Sequence, residues 1–114
     1  MLISSAMNDQ INEQIGHEFG ASFQYVNIAG YFDSVALPVL SRHFLQQAEE
    51  EREHAMKFVR YVLDAGGKVA VPAVPAARAN FASAEEAVAL ALEWELTVTR
   101  QITALLERAS KAHA

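Results

Sequence analysis

The chain has no cysteine, which excludes a disulfide framework and thiolate chemistry and leaves carboxylate, imidazole and water to hold any metal. Helix breakers are scarce too: three prolines and five glycines in 114 residues, against 52% hydrophobic residues, favour long helices over a strand-rich fold. Basic residues are outnumbered, nine Lys and Arg against 14 Asp and Glu, for a net charge of -5. Nucleic acid and anionic membrane surfaces are therefore poor partners, and cations are better ones. No run approaches the roughly 20 apolar residues of a membrane span, and Met1 to Met7 lacks the basic start of a targeting segment. The expectation is an all-α, soluble cytoplasmic protein, with residues 1–114 forming one domain.

What is present is helical periodicity. Ile11, Ile15, Ser22, Tyr25, Ala29 and Phe32 recur at alternating steps of four and three and predict a first helix from Ser5 to about Ser34. A second should run from Leu37 to Ala65, with Pro38 in its first turn and Gly66-Gly67 beyond its end; its stripe is Leu37, Leu40, Phe44, Ala48, Ala55, Phe58 and Val62. The tight connection makes these two an antiparallel hairpin. From Gly66 to Ala82, Pro72, Pro75 and the extended-favouring run Lys68-Val69-Ala70-Val71 predict a long crossover. Ser83-Ala84-Glu85-Glu86 then reads as a capping box opening a third helix, whose stripe is Ala84, Val88, Ala91, Val98, Ile102, Leu105 and Ala109. A crossover of this length allows the third helix to run parallel to the second. Three long helices leave one apolar groove to be filled.

Each stripe skips one position at its helical spacing, and the skipped residues are all carboxylates, Glu18, Glu51 and Glu95, at similar depth in their helices. Three ionised carboxylates converging in a low-dielectric interior repel one another and carry a desolvation cost of several kcal/mol each. A cation is the natural compensation. Glu51-x-x-His54 adds an imidazole one turn on, on the same face, the i, i+3 pairing found in di-iron and di-manganese carboxylate bundles. Oxygen-rich ligands with one histidine favour iron or manganese over structural zinc.

The segments Ile11-Asn12-Glu13-Gln14-Ile15 leading to Glu18 and Tyr25, Glu49-Glu50-Glu51-Arg52-Glu53-His54-Ala55-Met56, and Trp94-Glu95 resemble the bacterial non-haem ferritins, essentially end to end. The resemblance implies a ferritin-like up-down helix bundle and a di-iron centre. Glu18, Glu51 and His54 would form one iron site, and Glu51 would bridge to a second iron that Glu95 helps to hold. Tyr25 would hydrogen-bond and orient a carboxylate, and Glu50 matches a ligand of a third, weaker iron position. Two ferrous ions would bind, dioxygen would take their electrons, and ferric product would leave for mineral storage. The haem-binding relatives carry methionine after the helix-two glutamate where this chain has Arg52, so no haem is expected. The family continues into a fourth helix with further acidic ligands and a short fifth, so the fourth is expected either to be missing from this sequence or to come from another chain. A homo-oligomer is expected, with Phe19, Phe23 and Val26 as a contact strip.

Plainer readings compete. One glutamate on an apolar stripe is commonly a boundary residue reaching for solvent, but three at one depth with an i+3 histidine are poorly explained that way. Tyr25 alone would read as core filling with its hydroxyl at the edge. His17, His43 and His113 read as surface residues, Glu49 and Glu53 as a solvated face, and Trp94 as packing. Two other functions fit parts of the pattern. One is a rubrerythrin-like or manganese oxidoreductase, which would want a second histidine motif. The other is a metal-free helical oligomerisation module whose buried glutamates specify its partner.

Overall fold

The computed structural model describes residues 2–112, and the all-α architecture is as predicted. Its three helices are α1 (Ser5–Ser34), α2 (Pro38–Asp64) and α3 (Ala84–Ala112). Among the described residues there is no strand, and no helix is long and apolar enough to cross a membrane. Their ends follow local chemistry. Ser4 Oγ accepts from Met7 N at 3.0 Å to cap α1, and Pro38 opens α2 where a missing N–H costs nothing. Both α1 and α2 stop in the same six-residue motif with one residue in the left-handed region. At the end of α2 this is Gly66, at φ 75°, with Gly67 N donating to Val62 O at 2.8 Å; at the end of α1 it is Ala36, at φ 60°, with Leu37 N donating to Phe32 O at 2.9 Å. The box predicted at α3 is half made: Glu86 N donates to Ser83 Oγ at 3.2 Å, while the Glu86 carboxylate pairs with Arg78.

α1 is the central element, and both other helices pack on it. Ser22 Oγ donates to Ala48 O near mid-helix, and Phe32 stacks on Phe44, so α2 is antiparallel to α1. Tyr31 meets Phe81 just before α3 while Leu105 packs with the Ile11 and Ile15 end, so α3 is also antiparallel to α1 and hence parallel to α2, as the crossover length allows.

Three stripe positions differ from the expectation. Leu37, Leu40 and Val88 are 39%, 37% and 45% exposed, and Ala87 is buried in place of Val88. The two helices bury only the faces they turn toward α1, and these three side chains lie on the flanks. The interior forms two apolar clusters, one around Tyr25, Phe32, Phe44 and Ala91, the other around Ile11, Ile15, Ala55 and Val62.

α1 also buries a second face. Asn8, Asn12, Gly16, Gly20 and Gln24, at steps of four, are all buried and seat the crossover. Asn8 accepts from Lys68 N at 3.1 Å, Asn12 accepts from Ala70 N at 2.7 Å and donates to Lys68 O at 2.8 Å, and Gln24 both donates to Arg78 O and accepts from Arg78 N. The extended backbone thus finds side-chain amides in place of a neighbouring strand. The two glycines between leave room for bulk: a Cβ on Gly16 would lie 2.9 Å from Pro72, and one on Gly20 would lie 2.9 Å from Trp94.

Candidate metal centre

Between the two apolar clusters lies a polar layer. Glu18 comes three residues after Ile15 on α1 and is fully buried; Glu51 lies between Ala48 and Ala55 on α2 and is 5% exposed. His54, one turn beyond Glu51, is half-exposed and turns Nδ1 inward, 3.5 Å from Glu51 Oε2 and 3.8 Å from Glu18 Oε2. One ligand atom from each of Glu18, Glu51 and His54 falls within 4.8 Å of the others. This is a spacing at which a single ion could be held.

The electrostatics match a missing positive charge. Glu18 Oε2 and Glu51 Oε2 are buried without a hydrogen-bond partner, an arrangement that folded interiors rarely leave uncompensated. Burial, and then the adjoining Glu51 carboxylate, push the Glu18 carboxyl up to about 8. Without metal, Glu18 holds its proton more tightly than an ordinary carboxyl and can share it with Glu51, and a cation would take that proton's place.

Glu95 stands slightly apart. It is half-buried on α3 and outside the three-residue group, but its charge contributes to the upward shift of Glu18. Tyr25, buried on α1, donates its hydroxyl to Glu95 Oε1 at 2.5 Å. Burial and that bond to Glu95 move the Tyr25 phenol far above its ordinary range, so it stays a neutral donor at any physiological pH. Glu50 is exposed and outside the group, as are Glu49 and Glu53. Arg52 is exposed and pairs with Glu49 at 3.4 Å. His17 and His43 are exposed; His113 lies outside the described residues. Trp94 packs with the cluster around Tyr25 and Phe32 and over Gly20.

A groove of about 690 Å³ leads to the layer from the far end of the bundle. It is bounded by apolar side chains such as Met7, Ile11, Phe58 and Leu105, and it reaches Glu18 and His54. Of Glu18, Glu51 and His54, only His54 is substantially exposed to solvent.

One residue at the layer was not singled out by sequence. Gln14, buried at 3% exposure, donates Nε2 to Glu18 Oε1 at 3.3 Å. The available signal was its i, i+4 spacing from Glu18.

Comparison with known proteins places this geometry in context. The family described as a ferritin-like domain matches residues 8–114. Ferritin BfrB of Mycolicibacterium smegmatis is 48% identical over 95 residues, covering 83% of this chain and 52% of that protein. The bacterial non-heme ferritin of Staphylococcus aureus is 33% identical over 106 residues, covering 93% and 64%. Among solved structures, the open pore ferritin of Archaeoglobus fulgidus superposes with a TM-score of 0.92 at 34% identity, covering 97% of this chain and 68% of that one. The chain spans about half the length of the BfrB relatives it matches. With nearly its whole length matched in sequence and in shape, the chain belongs to the ferritin-like domain family.

Proposed function

We propose that this chain is an iron-binding subunit that takes ferrous iron as substrate and passes its electrons to dioxygen, delivering ferric iron for storage. Glu18, Glu51 and His54 would hold one ion. Glu51 would reach a second, toward which Glu95 contributes, with Tyr25 fixing the Glu95 carboxylate by its hydrogen bond. The observation that carries this reading is the pair of buried carboxylate oxygens, on Glu18 and Glu51, that have no partner while an imidazole nitrogen stands beside them. That donor set suits a divalent cation preferring oxygen and nitrogen.

The chain's own groups have three tasks in the reaction. The carboxylates bind and neutralise the incoming ions, Glu18 releases its proton as the first ion enters, and the apolar groove limits water around the layer while leaving a path for dioxygen. Bound iron would supply the redox chemistry. The relatives' names support storage as the destination of the product, and the exposed Phe23 and Val26 beside Phe19 support a homo-oligomer built on that strip. Arg52, where haem-binding relatives carry methionine, supports a non-haem centre.

The test is aerobic addition of ferrous iron to the purified protein, following ferric absorbance. Rapid oxidation is expected from the native chain, slowed strongly in Glu51→Ala. Unchanged kinetics in that variant would overturn the proposal. The metal-free association module makes the opposite prediction, because its glutamates would bind no ion.

A further inference from the structure

Gln14 poses a question that the ligand set leaves open. It is a carboxamide at 3% exposure, one turn before a fully buried carboxylate, and its Nε2 reaches that carboxylate's Oε1 at 3.3 Å. The other oxygen of Glu18, Oε2, has no hydrogen-bond partner and is the one facing His54 Nδ1 at 3.8 Å. The two oxygens of one side chain are thus treated differently: one is tethered to protein, the other is left free on the side where Glu51 and His54 converge.

We propose that Gln14 is a positioning residue for the iron site, holding Glu18 Oε1 so that Oε2 alone is presented to the ion. The inference rests on the function proposed above and deepens it. A carboxylate without a tether can rotate about its terminal bond and offer both oxygens, which raises the coordination number and changes the ion's geometry. A hydrogen bond to one oxygen occupies one of its lone pairs and biases the carboxylate to bind the ion through the other oxygen. Gln14 suits the task because the i, i+4 step puts it on the Glu18 side of α1. A carboxamide also donates without carrying charge, so it adds no repulsion toward the entering cation. Its outer edge forms part of a small cleft of about 210 Å³ with Gln10, Glu13 and His17, so Gln14 stands between solvent and Glu18.

Cobalt(II) is the probe, since its visible absorption reports coordination number without turnover. In Gln14→Met, which keeps the side-chain length but cannot donate, cobalt should bind about 10- to 100-fold more weakly, the effect expected for losing a ligand's supporting hydrogen bond. Its absorption band should shift, while the helix circular dichroism of the metal-free protein stays as in the native chain. Gln14→Leu, of different shape, should behave the same way, which separates the lost donor from altered packing. If either apolar variant fails to fold, Gln14→Ala replaces it, removing the donor without adding charge or bulk, with the same outcome expected. Native affinity and an unshifted band in the folded variants, with cobalt binding abolished in Glu18→Ala, would overturn the positioning role and leave the iron site standing. If the native chain and Glu18→Ala bind cobalt equally, the iron site itself fails and the role of Gln14 falls with it.

Discussion

The two buried faces of α1 treat polar side chains in opposite ways. On the crossover side, Asn8, Asn12 and Gln24 are buried and both ends of each carboxamide are bonded to the backbone of residues 68, 70 or 78. On the bundle side, Glu18 is buried more completely, yet one of its oxygens, like one on Glu51, has no partner. The same helix in the same fold can therefore pair its buried polar groups, and at the Glu18 level, as at the less buried Gln10, it leaves an oxygen unpaired. Pairing marks structure, and its absence at that level marks a place held for something else.

The contrast breaks most sharply at the carboxylates. Glu18→Gln should weaken ferrous iron binding by at least about a hundredfold, since losing a ligand should cost no less than losing its supporting hydrogen bond. It should also raise the thermal stability of the metal-free protein at pH 8, because no charge then has to be buried. Anaerobic titration calorimetry and melting curves check the two halves. A variant that loses stability and keeps iron would reverse the assignment of the two faces.

The pH dependence comes next. The Glu18 carboxyl rises from 4.5 to about 8 on folding, so between those values the native state holds a proton that the unfolded state has lost. Its contribution to stability is therefore complete below pH 4.5 and falls away as pH rises through about 8. Melting of the metal-free protein across that window should show this decline, and Glu18→Gln should flatten it. Iron binding, which displaces the proton, should tighten as pH rises over the same range.

On the opposite face, Asn12→Ala removes the bonds to Asn8 O, Lys68 O and Ala70 N. It should cost about 2–3 kcal/mol in denaturant unfolding, through the lost hydrogen bonds and a part-buried N–H left unpaired. Iron affinity should not change. A loss of affinity would mean that the crossover seat and the metal layer are coupled through α1. The smallest effect belongs to neither face: Ala36, left-handed at φ 60°, should gain about 1 kcal/mol when replaced by glycine, with iron binding untouched.

The sequence made one face of α1 far more legible than the other. Apolar stripes at helical spacing locate all three helices to within a residue or so, helped by Pro38, Gly66 and Ser83, which punctuate them with unambiguous local chemistry. The carboxylates stand out as interruptions of those stripes, and the structure brings Glu18, Glu51 and His54 within ligand distance of one another while leaving Glu95 with Tyr25 and Glu50 at the surface. The amide and glycine seat was not legible. Asn, Gln and Gly are weak marks in a helix, and their partner is a backbone segment 54 to 60 residues away whose extended form is legible but whose hydrogen-bond partners are not. Val88 was misplaced for a different reason: Ala87 and Val88 are both apolar, so periodicity alone does not choose which of two adjacent positions faces α1. Gln14 was hidden because a glutamine beside an apolar stripe reads as its polar margin until its distance to Glu18 is known.

The most direct test of the idea that the polar layer is built around a cation is anaerobic ferrous iron titration near pH 6.5, carried out in buffers of different ionisation enthalpy so that proton release can be counted. Saturable binding with about one proton released for the first ion, and binding at least about a hundredfold weaker and without that proton release in Glu18→Gln, is the predicted result. Iron that binds without releasing a proton, or binds the variant as well as the native chain, would contradict the account.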